Sequence, residues 1–156
     1  MTRFVVDATA LLHLAAENLA VAPGHELLAP TLLRSHTLSA MHEAVWHGEL
    51  DEATALARLE QANRIKVRLL GDAVLRRTAW KMATELNWAA TYGTEYLALT
   101  KLQADAFVTL DEQLIRTSNG IVPIVGIEAL TTGAEEPVAL PAAPKAAPKR
   151  KRAAAS

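Results

Sequence analysis

The fold is decided by the stretch Phe4-Val5-Val6-Asp7-Ala8-Thr9-Ala10-Leu11-Leu12 near the start of the chain. Its leading apolar residues predict a short buried strand that ends at Asp7. Apolar residues then recur at helical spacing, which predicts a helix from Ala8 to Ala20. The later stretch Ala106-Phe107-Val108-Thr109-Leu110-Asp111 has the same order of strand, aspartate and short helix.

Apolar spacing predicts further strands and helices in alternation. Strands are predicted at 25–29 and 121–125, helices at 31–47, 51–63, 71–86, 92–103 and 111–117, and residues 65–70 fit either type. Such alternation favours a three-layer α/β/α sandwich around a mostly parallel sheet. We expect a single domain over residues 1–131, because the sequence contains neither internal repeats nor a second core.

The composition excludes several classes of protein. The 156 residues include no cysteine, which excludes disulfide frameworks, thiolate metal sites and thiol nucleophiles. The glycines do not form a phosphate-binding loop, which argues against P-loop and dinucleotide-binding proteins. No apolar run reaches the roughly 18–20 residues that span a bilayer, and the N-terminus has no signal-peptide pattern. We therefore expect a cytoplasmic protein without a membrane partner.

The basic residues are unevenly distributed along the chain. Five of the 16 follow Pro141, where there is no acid: Lys145, Lys149, Arg150, Lys151 and Arg152. Residues 132–156 are predicted to form a disordered basic tail, because this composition leaves little to bury. Such a tail either contacts nucleic acid through its charges or is a passive, solubilising appendage.

The three tryptophans, Trp46, Trp80 and Trp88, are predicted to pack in the core or at an interface between copies of the chain. Aromatic residues make up only 4% of the sequence. This composition does not favour a base-stacking platform for nucleic acid.

Asp7 and Asp111 are the candidate functional residues that the pattern itself indicates. The carboxyl ends of parallel strands share one edge of a sheet, so the two side chains converge if their strands are neighbours. Two such carboxylates can hold a hard divalent cation. The alternative is that each aspartate only caps the helix that follows it.

Several segments, taken in order, resemble the PIN-domain family, and most closely the VapC-type toxins of bacterial toxin–antitoxin pairs. The resemblance covers residues 1–130. It is carried by Val5-Val6-Asp7-Ala8-Thr9-Ala10-Leu11-Leu12, Leu28-Ala29-Pro30-Thr31-Leu32-Leu33, Ala79-Trp80-Lys81-Met82-Ala83, Tyr92-Gly93-Thr94-Glu95-Tyr96-Leu97-Ala98-Leu99 and Val108-Thr109-Leu110-Asp111.

The resemblance implies a metal-dependent endoribonuclease, a hydrolase of RNA phosphodiester bonds. It implies that Asp7 and Asp111 are catalytic ligands of Mg²⁺ or Mn²⁺, and that Thr9 and Thr109 support them through hydrogen bonds. It also implies an RNA substrate, a VapB-like antitoxin as partner, and a homodimer.

Two acids of the family pattern are missing. His36 stands where the family has a glutamate, and Gly93 stands where it has an aspartate. His36 is either a ligand for a softer metal ion, such as Mn²⁺ or Zn²⁺, or a buried histidine with a hydrogen-bond partner. Two hypotheses follow: a nuclease with a degenerate metal site, or an inactive PIN module that retains antitoxin or RNA binding.

Overall fold

The computed structural model describes residues 1–133. Nearly all of the predicted basic tail, including its five cations, lies outside the described residues. The elements in chain order are β1 (Thr2–Val6), α1 (Ala8–Ala16), β2 (His25–Pro30), α2 (Leu33–Trp46), α3 (Glu52–Arg64), β3 (Arg68–Leu70), α4 (Ala73–Leu86), α5 (Tyr92–Gln103), β4 (Ala106–Val108), α6 (Glu112–Ser118), β5 (Ile124–Val125) and α7 (Glu128–Thr131).

The five strands form one parallel sheet in the order β3-β2-β1-β4-β5. β1 and β4 are neighbours, and Val6 pairs with Val108. From β1 the chain adds β2 and β3 on one side, and it then adds β4 and β5 on the other. The boundary between β1 and β4 is therefore the topological switch point, and open α/β sheets bind ligands at its carboxyl edge.

The core lies on both faces of the sheet. One cluster contains Val5, Leu28 and Phe107, covered by residues of α2, α3, α4 and α5. The other contains Phe4 and Val6 together with residues of β4 and α7, and α1 contributes to both clusters. Each fully buried side chain of this kind contributes about 1.5–3 kcal/mol. The predicted three-layer α/β/α sandwich is confirmed, and within residues 1–133 no helix is long and apolar enough to span a membrane.

Aspartate side chains begin four of the described helices. Asp7, Asp51, Asp72 and Asp111 each accept a hydrogen bond from a backbone N–H in the first turn of α1, α3, α4 and α6. A cap of this kind is worth about 0.5–2 kcal/mol relative to alanine. β1 therefore ends directly before its capping aspartate, Asp7, and β4 ends shortly before Asp111.

Several boundaries differ from those that the sequence predicts. α1 ends at Ala16 instead of Ala20, because the chain turns at Asn18, which has a φ of 51°. The ambiguous segment at 65–70 forms a strand only at Arg68–Leu70, and the strand predicted at 121–125 is confined to Ile124–Val125. The four-residue helix α7 was not predicted.

The prediction of a position in the core is wrong for two of the three tryptophans, Trp46 and Trp80. The exposed fraction is 80% for Trp46 and 72% for Trp80. Both lie on outward faces of helices, where no described element covers them. Trp88 is only partly buried, and it packs against the core cluster that includes Phe107.

Candidate active site at the carboxyl edge of the sheet

Asp7 lies at the carboxyl end of β1 and is only 6% exposed. Thr9 Oγ1 donates a hydrogen bond to its Oδ1 over 2.6 Å, and Thr109 Oγ1 donates to its Oδ2 over 2.5 Å. The Ala10 N–H donates to Oδ1 over 3.1 Å, which is the cap of α1. Three donors thus fix the orientation of a buried carboxylate.

Thr9 and Thr109 also join the loop after β1 to the loop after β4. Thr9 Oγ1 accepts a hydrogen bond from the Leu110 N–H over 2.8 Å, and Thr109 Oγ1 accepts one from the Asp111 N–H over 3.1 Å. The two hydroxyl oxygens lie 3.4 Å apart. The structure therefore brings both threonines to Asp7, and their support of a metal ion stays a prediction.

The electrostatic environment of Asp7 is unfavourable to its charge. Burial raises the pKa of Asp7, and the nearby Asp111 carboxylate raises it further, while the hydrogen bonds from Thr109, Thr9 and Ala10 lower it. Within residues 1–133, none of the ion pairs includes Asp7. A buried carboxylate without a cationic partner is costly, and either protonation or a bound cation relieves that cost.

Asp111 is exposed and begins α6. Its Oδ1 accepts hydrogen bonds from the N–H groups of Gln113 and Leu114, at 3.0 and 3.1 Å. Asp7 and Asp111 therefore each cap the helix that follows them. Capping does not exclude a shared site, because the two carboxylates follow neighbouring strands and the charge of one acts on the other.

His36 lies on α2 and faces an aromatic pair on α5. Its Nδ1 is 3.0 Å from the Tyr96 hydroxyl, and its ring stacks on the Tyr96 ring with centroids 5.9 Å apart. Tyr92 meets the same imidazole edge-on at 5.9 Å. The hydrogen-bond partner that one alternative predicted is therefore present. Burial lowers the pKa of His36 and Asp7 raises it, so the imidazole senses the Asp7 carboxylate.

Gly93 lies in the first turn of α5 and is covered by side chains. A Cβ atom placed there would lie 3.3 Å from Cζ3 of Trp88 and 3.5 Å from Cδ1 of Leu114. The space that an acidic side chain would use at this position is thus occupied by an indole ring. The glycine at the position of the missing acid therefore lies next to a large apolar side chain, Trp88.

The donor set suits one hard cation better than two. Within the described residues there is no group of three or more His, Asp or Glu side chains that could hold a metal ion. Mg²⁺ can nevertheless bind through one or two carboxylates when water and substrate phosphate complete its octahedron. Asp7 and Asp111 fit that description, and a carboxylate cage for a second ion is lacking in residues 1–133.

A larger cavity of about 850 Å³ lies at the opposite, amino edge of the sheet. Its lining is mainly apolar, and it includes Glu26, Lys66 and Arg68. The Glu26 carboxylate is already paired with Arg3 at 3.3 Å and with Arg68 at 3.6 Å. This cavity therefore lacks the unpaired acid that distinguishes the Asp7 edge.

Sequence reasoning missed two neighbours of the site, Tyr96 and Trp88. Nothing in the sequence spacing signals the hydrogen bond between Tyr96 and His36. Trp88 follows the helix-ending Asn87, so its place beside Gly93 depends on the packing of α4 against α5. That packing is tertiary, and no local motif encodes it.

The chain is similar in fold to the crystal structure of PAE2754 from Pyrobaculum aerophilum. The two chains are 23% identical and superpose with a TM-score of 0.61, over 83% of this chain and 94% of that chain. At this identity the likeness shows the fold alone. The sequence matches no family model and no curated protein.

Proposed function

We propose that this protein is a PIN-domain, VapC-like endoribonuclease whose metal site is degenerate. One observation carries the proposal: Asp7 is a buried carboxylate without a cationic partner in the described residues, beside a second carboxylate at the topological switch point of a parallel sheet. A divalent cation, either Mg²⁺ or Mn²⁺, would neutralise this charge. Asp7 and Asp111 would be its protein ligands.

The residues around Asp7 have separate roles in this proposal. When bound, the cation supplies Lewis-acid activation of a water molecule and of the scissile phosphate. Thr9 and Thr109 hold the Asp7 carboxylate in one orientation, which reduces the ordering that binding requires. Burial lowers the pKa of His36, which favours the neutral imidazole, and its Nδ1 is engaged by the Tyr96 hydroxyl.

The partners follow from the same proposal. The substrate is RNA, the inhibitor is a VapB-like antitoxin, and the toxin is a cytoplasmic homodimer. The exposed apolar side chains Leu38 and Trp46 on α2, and Trp80 on α4, offer surface for contacts with the antitoxin or with a second copy of the chain.

A second candidate function is an inactive PIN module that binds antitoxin or RNA. It is favoured by the Trp88 indole against Gly93 and by the engagement of His36 with Tyr96. Both positions of the missing acids are thus packed as parts of the fold. If metal-dependent cleavage appears only after Gly93→Asp, the natural chain is this inactive module.

The test is cleavage of structured RNA in Mg²⁺, in Mn²⁺ and in EDTA by the wild type and by Asp7→Asn. Asparagine keeps one acceptor oxygen for the Thr9 and Ala10 donors, so the cap of α1 is preserved, while the buried charge and the acceptor of the Thr109 hydroxyl are both removed. We expect metal-dependent cleavage by the wild type and a loss of at least about 10–100-fold in Asp7→Asn.

Asp51→Asn is the matched control, because Asp51 caps α3 in the same way and hydrogen-bonds only within its own first turn. This variant should cleave like the wild type. Equal, metal-independent cleavage by the wild type and Asp7→Asn would refute the proposal.

A further inference from the structure

A small cavity adjoins Asp111, and Asp7 is not among the residues that line it. Its volume is about 340 Å³, near the lower end of ligand-sized pockets. The residues that line it are Trp88, Ala89, Asp111, Gln113, Leu114 and Thr117. It therefore combines one large aromatic ring with polar groups, and it shares the Asp111 carboxylate with the candidate metal site.

The Trp88 indole is held in place before any ligand binds. α4 ends at Asn87, whose left-handed φ of 57° turns the chain. The Asn87 N–H then bonds Thr84 O at 3.2 Å, and the Trp88 N–H bonds Ala83 O at 2.8 Å. This pair of hydrogen bonds is the Schellman motif, which fixes the residue after the left-handed position.

Gly93 completes the seat of the indole. Its missing side chain lets the Trp88 ring lie against the first turn of α5, where Leu114 also lies near Gly93. One part of the ring packs on the core and another part stays accessible in the cavity. A ring that is already ordered loses little entropy when a flat ligand stacks on it.

The other residues that line the cavity can form hydrogen bonds and apolar contacts with the edge of a flat ligand. Within the described residues, the side-chain amide of Gln113 makes no hydrogen bond, so its donors and its acceptor are available. The Thr117 hydroxyl donates to Gln113 O at 2.9 Å and keeps acceptor capacity. Leu114 supplies an apolar wall.

We infer that this cavity binds one unpaired nucleobase of single-stranded RNA, stacked on Trp88 and next to the candidate metal site at Asp111. The inference rests on the proposed function for its choice of RNA. The small volume admits a single base. Stacking on the indole depends little on base identity, whereas Gln113 can form hydrogen bonds that depend on the edge of the base. Trp88 is thus a binding residue that positions the substrate.

The experiment measures RNA binding without cleavage. A fluorescently labelled, single-stranded RNA of ten nucleotides is titrated with protein in EDTA and again in Ca²⁺, and the readout is anisotropy. Trp88→Ala should weaken binding by about 5- to 150-fold, the range for one stacked base. Trp88→Phe should recover part of that loss, because it keeps an aromatic face.

Trp46→Ala and Trp80→Ala are matched controls, because these exposed indoles do not line the cavity. Both should bind RNA like the wild type. A wild type that does not bind the RNA, or a Trp88→Ala variant that binds it equally, would overturn the inference; the second result would leave the cavity to a protein partner.

A second measurement keeps the test valid if Trp88→Ala unfolds. Abasic sites are placed one at a time in the RNA, and the wild-type protein should lose affinity at one position. The affinity lost on removing that base should be unchanged in Trp80→Ala and smaller in Trp88→Phe. Combining the removal of the base with the change of the ring forms a double-mutant cycle, which measures the interaction between them. Equal losses in both variants would contradict the stacking.

The two proposals fail separately. Metal-independent cleavage by Asp7→Asn removes the nuclease assignment, yet binding through Trp88 is measured without cleavage and can still stand. Loss of the Trp88 effect removes the base site and leaves the metal dependence at Asp7 untouched.

Discussion

Thr109→Val tests how strongly the buried carboxylate depends on its hydroxyl donors. Valine has nearly the shape of threonine, and Thr109 is 2% exposed, so packing is preserved while the hydrogen bond to Asp7 and the one accepted from the Asp111 N–H are lost. Only the first of these two bonds has a carboxylate acceptor, so it is the one whose cost depends on pH. A hydrogen bond to a charged group contributes about 1.5–3 kcal/mol, and one between neutral groups about 0.5–1.5 kcal/mol. We expect the free energy of unfolding to fall by about 1.5–3 kcal/mol at pH 7.

The pKa of Asp7 determines how the stability cost of Thr109→Val should change with pH. Burial raises the pKa of Asp7, so the ionisation of Asp7 lowers stability as the pH rises from the unfolded value of 3.8 through the folded value. Removing the Thr109 hydroxyl raises the folded pKa further, because that hydrogen bond lowers it. The difference in unfolding free energy between the wild type and Thr109→Val therefore increases with rising pH. At low pH, where Asp7 is protonated, this difference should be smaller by about 1–1.5 kcal/mol.

The assay is urea unfolding followed by circular dichroism between pH 3.5 and pH 8, in EDTA. Thr100→Val is the matched control, because Thr100 is 1% exposed and its hydroxyl donates to a neutral acceptor, Tyr96 O, at 2.8 Å. That variant should lose about 0.5–1.5 kcal/mol at every pH. The reasoning is refuted if Thr109→Val and Thr100→Val show the same cost and the same flat pH profile.

Three further predictions concern charge, packing and the tail. In metal-free buffer at pH 7, Asp7→Asn should raise the melting temperature, because the relief of an unpaired buried charge outweighs the lost acceptor of the Thr109 hydroxyl, and the cap is kept. Mn²⁺ should raise the melting temperature of the wild type and of the control Asp51→Asn but not that of Asp7→Asn, and scanning fluorimetry measures both effects. Gly93→Asp should displace Trp88 and shift its fluorescence to longer wavelength in a Trp46→Phe/Trp80→Phe background, while Gly133→Asp, where a Cβ meets no atom within 4 Å, should not. Truncation after Gly133 should flatten the plot of log K against log salt for single-stranded RNA by about 3.5 if all five tail cations contact phosphates, and an unchanged slope would make the tail passive.

The local parts of the fold could be predicted from the sequence. Apolar runs ending in aspartate fix the strand ends at Asp7 and near Asp111, because burial and capping act within a few residues of one another. The layered architecture follows from the alternation of strands and helices. The end of α1 could not be predicted, since the residues around Asn18 keep helical apolar spacing although the chain turns there.

The candidate site could be predicted only where it depends on strand adjacency. Asp7, Thr9 and Thr109 meet because β1 and β4 are neighbours, and a parallel sheet brings their carboxyl ends to one edge. The contacts of Trp88 and Tyr96 depend on how α4, α5 and α2 pack on each other. The contact between His36 and Tyr96 joins residues 60 apart in sequence, and neither it nor the contact between Trp88 and Gly93 leaves a periodic signal. The exposure of Trp46 has the same cause, because its helix presents that face outward.

The outer strands of the sheet have a consequence for self-association. β3 has three residues and β5 has two, so each sheet border offers another polypeptide very few free backbone groups. Borders this short are one way in which proteins avoid joining sheet to sheet. Two molecules of this protein would therefore meet through side chains on their helices, where the exposed Trp46 and Trp80 lie, and not through backbone hydrogen bonds between sheets.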